Sequence, residues 1–174
     1  MAFEYPNNLP YLVSIIDVQT GEKEIITREI DRNTRMPQWS KDGQSIFFIL
    51  EDDMKSQLMK YSLSDNSSKK VTPDNMYLGG YSRSYFAVNN EIIFQSSTSS
   101  IPSEIYHLKE DQINAITSVN EQFIKNRLIG STELISFESF DGLTINGMMI
   151  KPPNFDPKKK YPLIIRIHGG PVSQ

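Results

Sequence analysis

Short apolar runs, each closed by a polar turn, dominate the first two thirds of the chain. Tyr11 to Val18, Gln57 to Leu63 and Glu104 to Leu108 are strand-like. Each is followed by a turn, carried by Gln19-Thr20-Gly21-Glu22, Ser64-Asp65-Asn66-Ser67 and Lys109-Glu110-Asp111-Gln112. A second short strand then ends on Ile25-Ile26-Thr27, Lys70-Val71-Thr72 or Ala115-Ile116-Thr117, with the threonines 45 residues apart in both steps. Two further stretches share a layout. Pro37-Gln38-Trp39-Ser40 leads through Asp42-Gly43 into Ser45 to Leu50, and the stretch from Tyr81 leads through Asn89-Asn90 into Glu91 to Gln95. Asp-Gly between strands predicts a type I′ hairpin turn, which needs positive φ at both central residues.

Four strands per unit of about 45 residues describe the blade of a β-propeller. A β-sandwich with coincidental spacing is the alternative, but two equal spacings with strand and turn order preserved favour blades. A closed propeller takes about 4–8 blades, whereas residues 1–120 supply fewer than three. Open blades leave strand edges and apolar faces uncovered, so the chain is expected to be a piece of a larger protein.

The pattern changes near Gly130. Val119 to Ile129 fits either a short helical turn or an irregular linker. Glu133 to Ser139 and Leu143 to Ile150 flank Asp141-Gly142 as another hairpin, which Lys151-Pro152-Pro153 ends because proline cannot donate to a ladder. Asn154 to Lys160 is a polar loop whose three lysines suit a solvated turn. Tyr161-Pro162-Leu163-Ile164-Ile165-Arg166-Ile167 reads as a strand of the kind buried in a parallel sheet. It runs directly into His168-Gly169-Gly170-Pro171.

Composition narrows the chemistry. Lys plus Arg number 18 against 21 Asp plus Glu, so the net charge is -3 and nothing favours nucleic acid or an anionic membrane surface. There is no cysteine and there are two histidines, His107 and His168, which excludes thiol nucleophiles, disulfides and Cys- or His-rich metal sites. No cofactor-binding pattern occurs. The N-terminus lacks a charged region followed by an apolar one, and no apolar run is long enough to cross a bilayer. A cytoplasmic location is therefore expected.

A strand that ends in a histidine and a glycine pair is where chemistry enters. Glycines let backbone N–H groups approach a ligand closely and turn outward together. Such a loop can donate an amide to an oxyanion hole, where one donor is worth roughly 3–4 kcal/mol in acyl transfer. Several segments together resemble the prolyl oligopeptidase family of serine peptidases, especially its acylaminoacyl-peptidase and dipeptidyl-aminopeptidase branch. They are Pro37-Gln38-Trp39-Ser40-Lys41-Asp42-Gly43, Phe137 to Gly147, Lys151-Pro152, Tyr161-Pro162-Leu163-Ile164 and His168-Gly169-Gly170-Pro171. The ordered run from the Asp141-Gly142 hairpin to His168-Gly169-Gly170-Pro171 is the specific part.

The resemblance implies a mostly β chain: the last blades of a propeller (1–120), a linker (121–130) and the first strands of an α/β-hydrolase peptidase domain (131–174). It further implies that the propeller gates access to a site that takes peptide substrates. His168, Gly169, Gly170 and Pro171 would form the oxyanion-hole loop, with the Gly170 amide as donor and His168 shaping the loop. The triad itself is expected to be absent, because G-x-S-x-G occurs nowhere in the chain. Gly80-Tyr81-Ser82-Arg83-Ser84 fails at its fifth position, Ser173 lies too near the end for an elbow, and His107 sits in a repeat strand. The chain alone is thus expected to be inactive, and the pattern is common to endopeptidase, dipeptidyl- and acylaminoacyl-peptidase chemistry. A non-catalytic, propeller-derived binding module is the alternative; an esterase with a similar glycine loop would leave the repeats unexplained.

Overall fold

The computed structural model describes residues 10–79, 84–89 and 91–167. It is mostly β. The expected repeat appears as three successive antiparallel units: a pair, β1 (Ser14–Ile16) and β2 (Lys23–Ile25); a four-stranded sheet; and a sheet of five short strands. The four-stranded sheet runs in chain order through β3 (Asn33–Trp39), β4 (Ser45–Asp52), β5 (Lys55–Ser62) and β6 (Ser67–Lys70). In the next sheet β7 (Tyr77–Leu78) and β8 (Tyr85–Val88) share one edge of β9 (Glu91–Ser97), followed by β10 (Glu104–Lys109) and β11 (Gln112–Ala115). These are blades of the propeller type, and the described residues form no closed ring.

The threonine repeat has a single physical cause. Thr27 Oγ1 accepts the Val13 N–H at 2.9 Å, Thr72 Oγ1 that of Leu58 at 3.1 Å, and Thr117 Oγ1 that of Ile105 at 2.9 Å. In each unit the residue before the threonine donates its own N–H back to the same partner: Ile26 to Val13, Val71 to Leu58, and Ile116 to Ile105. A hydroxyl thus completes the ladder where the last strand leaves the sheet, satisfying a backbone donor that burial would otherwise strand.

Alternation along β4 explains why its apolar run is nearly continuous. Ile46 and Phe48 pack with Val13 and Tyr61 against the first pair, while Phe47 and Ile49 pack with Leu58, Tyr85, Ile92 and Phe94 against the following sheet. The middle blade is buried on both faces, as a strand of this composition requires. Side chains also tie the blades together. Gln38 donates to the Tyr85 carbonyl and accepts the Ala87 N–H, both at 3.0 Å, and the buried Tyr85 hydroxyl donates to the Phe47 carbonyl at 2.9 Å.

Two expectations are corrected. The Asp-Gly hairpins are not type I′: only Gly43 (φ 67) and Gly142 (φ 84) take positive φ, while Asp42 and Asp141 do not. Each belongs to a Ser-x-Asp-Gly turn in which the glycine N–H donates to the serine carbonyl at 3.0 Å. The serine hydroxyl donates to the aspartate carboxylate in both. Two-residue turns with both φ values positive occur at Asp53-Met54 and Glu110-Asp111. The second correction concerns Tyr161 to Ile167, which forms no strand with any described residue. A parallel strand exists only through its neighbours' hydrogen bonds, and β12 (Ser131–Glu138) and β13 (Thr144–Lys151) pair only with each other.

The segment before this hairpin contains a short helix, α1 (Glu121–Lys125). No helix among the described residues is long and apolar enough to cross a membrane.

Candidate functional site

His168, Gly169, Gly170 and Pro171, expected to form an oxyanion-hole loop, lie outside the described residues, as do Ser82 and Ser173. What the structure describes is the scaffold that leads to that loop. It begins at Gly130, where a Cβ would collide with the Lys151 carbonyl oxygen, so only glycine lets the chain enter β12 beside the end of β13. At the far end of the hairpin, the Ser139 hydroxyl and, secondarily, the Leu143 N–H hold the Asp141 carboxyl below its ordinary value of 3.8. This charged cap fixes the turn.

Beyond β13 the chain folds into a compact loop. Lys151 Nζ reaches Glu133 at 2.6 Å and lies 5.1 Å from the centre of the Phe155 ring, which in turn packs against Tyr161 at 5.1 Å. The Asp156 N–H donates to the Tyr161 hydroxyl oxygen at 3.0 Å, and Asp156 Oδ1 accepts the Lys158 N–H at the same distance. Lys158, Lys159 and Lys160 are exposed on this loop, the solvated turn that the sequence predicts. The loop sets the starting point of the apolar segment, in which Leu163, Ile164, Ile165 and Ile167 are each at least three-quarters exposed.

A side-chain hydrogen bond joins this unit to the blades: Asn146 Nδ2 donates to Asp53 Oδ1, at the turn between β4 and β5, at 2.9 Å. The end of the blades carrying this contact also holds a buried carboxylate. Glu104 receives the Thr117 hydroxyl, the Asn120 N–H at 2.9 Å and the Val119 N–H at 3.2 Å, and these bonds keep its carboxyl below 4.5. Glu104 therefore anchors the chain where it leaves the last blade for α1. Its counterpart one blade earlier, Gln57, acts in the opposite sense, donating its side-chain amide to the Pro73 carbonyl and to Asp74 Oδ1, both at 3.3 Å. Neither was singled out from sequence. The available signal was position: each immediately precedes a residue whose N–H the repeat threonine accepts.

His107, a repeat-strand residue, pairs with Glu91 at 2.7 Å, and Lys109 pairs with the other Glu91 oxygen at 2.9 Å. With Lys109 as first cause and His107 as second, the Glu91 carboxyl lies below its usual range. This is a cross-strand charge ladder on β9 and β10. Among the described residues no group of three or more His, Asp or Glu side chains could hold a metal ion.

No family model matches the chain. Curated relatives do. One is the uncharacterized peptidase YuxL of Bacillus subtilis, 27% identical over 164 residues, which are 94% of this chain and 24% of that protein. Dipeptidyl-peptidase 5 of Aspergillus fumigatus is 32% identical over 145 residues, 81% of this chain and 20% of its own length. The chain thus spans less than a quarter of the length of either relative. Among solved structures, the acylaminoacyl peptidase of Pyrococcus horikoshii superposes with a TM-score of 0.66 at 20% identity, covering 82% of this chain and 21% of that one.

Proposed function

This chain is homologous to peptidases of the prolyl oligopeptidase family, and from that premise we propose that it is the propeller-to-catalytic-domain junction of a serine peptidase. In this reading residues 1–120 are partial propeller, 121–130 the linker and 131–174 the start of the α/β-hydrolase peptidase domain. The whole protein hydrolyses peptide bonds of oligopeptides through an acyl-enzyme, and the propeller gates entry to the site. A serine from beyond the present sequence attacks the scissile carbonyl. The Gly170 N–H then stabilises the oxyanion of the tetrahedral intermediate, held in place by the loop that His168, Gly169 and Pro171 shape. The 174-residue chain, which carries no G-x-S-x-G, is itself inactive.

The observation that carries this reading is the order of parts. Packed blades lead through the Glu104 anchor to α1, then to the β12–β13 hairpin, and then to an exposed apolar segment that enters His168-Gly169-Gly170-Pro171. A self-contained binding module has no need for the last two. The test is a fluorophosphonate probe applied to this chain and to the product of its full coding region. Labelling of the longer product at a G-x-S-x-G serine, with none on the chain, is expected. In the longer product Gly170→Pro removes the donor N–H and should lower kcat by about 10²–10³-fold. A coding region that ends at Gln174, or unchanged kcat in the variant, would overturn the assignment.

A further inference from the structure

A cleft of about 470 Å³ lies between the middle blade and the one after it, away from the peptidase-domain hairpin. Its floor is apolar, formed by Phe47, Ile92 and Leu108. One wall carries Lys60 and Lys69, directly opposite each other on β5 and β6. The other carries Glu110 and Asp111, the two residues of the β10–β11 turn. The volume lies in the range of small-molecule sites, about 300–1,000 Å³, and an apolar floor with a few polar groups at the rim is their usual construction.

The repeat shows that this charge arrangement is particular to one blade. Aligning the blades through their threonine bonds makes Leu58 the counterpart of Ile105, so Lys60 corresponds to His107 and Ser45 to Glu91. In the later blade the residue at this position, His107, pairs with Glu91 on its own sheet. In the middle blade the matching acid is replaced by Ser45, and the cross-strand neighbour is a second lysine. Like charges directly opposite on adjacent strands are destabilising. Edge strands often carry lysine to discourage pairing, but that role requires neither an apolar floor nor acids on the facing wall.

We propose that this cleft binds an α-amino acid or very short peptide with an apolar side chain. The carboxylate meets Lys60 and Lys69, the ammonium meets Glu110 and Asp111, and the side chain covers Phe47, Ile92 and Leu108. Such ligands belong to the same class as the products of the proposed reaction, a link that rests on that reading; the binding itself does not.

The experiment is an NMR titration of this chain with leucine, isocaproate (which lacks the ammonium) and isoamylamine (which lacks the carboxylate). Saturable leucine shifts centred on residues of the cleft are expected, with a dissociation constant on the order of 1 mM. Each single-charge analogue should bind about tenfold more weakly. Lys60→Gln, at a half-buried position, and Lys69→Gln, at an exposed one, should each weaken leucine binding about tenfold while keeping the dispersed spectrum. Shifts that never saturate or scatter over the surface would overturn the proposal. So would isocaproate or isoamylamine binding as well as leucine, or Lys60→Gln and Lys69→Gln binding leucine unchanged. Because no peptidase activity is read, failure here leaves the catalytic assignment untouched.

Discussion

The middle blade and the β12–β13 hairpin are both antiparallel, both turn on Ser-x-Asp-Gly, and both contain strands of eight residues. They differ in what covers them. Phe48 in β4 is fully buried between two sheets, whereas Phe137 in β12 is 54% exposed and Ile150 in β13 is 71% exposed. Local turn chemistry is therefore enough to shape a hairpin, while stability comes from the layer laid over it. In the blades that layer is the adjacent repeat. In the hairpin, apolar residues face out on both sides and the described contacts to the blades centre on Asn146 and Asp53.

Substitutions can break this comparison. The largest effect is expected from Phe48→Ala, which opens a cavity between sheets and should cost about 3–5 kcal/mol; Phe137→Ala should stay within about 0.5 kcal/mol. Chemical denaturation followed by circular dichroism separates the two, and equal losses would mean that the hairpin is as well covered as the blade. Gly130→Ala comes next. The collision with the Lys151 carbonyl should cost about 2 kcal/mol of hairpin stability, read as faster amide exchange in β12 and β13 with β4 unchanged. Thr72→Val should cost about 1–3 kcal/mol in melts by leaving the Leu58 N–H unpaired. Thr117→Val, at a half-exposed position, should cost less.

A pH titration sharpens the junction between the two regions. The Glu104 carboxyl is held below its unfolded value of 4.5, first by the Thr117 hydroxyl and then by the Asn120 N–H. The unfolded chain therefore binds the proton more readily, so this contribution is fully present above that value and disappears as pH falls through the lower folded one. Stability measured from pH 6 to about 3 should fall less steeply in Glu104→Gln than in the parent chain; parallel curves would remove Glu104 from the anchor.

How much of this was legible in the sequence follows from the same physics. The blades were readable because each threonine makes one repeated bond, so spacing alone reports the unit. The Asp42-Gly43 and Asp141-Gly142 turns were located correctly but given the wrong geometry, since the preceding serine recruits the aspartate side chain and leaves only the glycine at positive φ. The Asp53-Met54 turn was hidden because methionine carries no turn preference; it sits at φ 62 through the pairing of β4 with β5. Tyr161 to Ile167 has strand composition, but composition supplies no partner. Gln38 acts across blades, on residues far along the chain, and no local pattern announces such contacts; Glu104 was marked only by its place before the residue whose N–H Thr117 accepts. The expected oxyanion-hole loop at 168–171 was legible only as a motif.

The measurement that most directly tests the account is residue-resolved native-state hydrogen exchange on this chain. Amides of Phe48, Ile49, Leu58 and Phe94 should exchange last and through one common opening, while those of β12 and β13 exchange earlier through a separate, lower-energy opening. Equal protection of β12 and β4, lost together in a single opening, would contradict a chain built from blades that cover one another and a hairpin that nothing among the described residues covers.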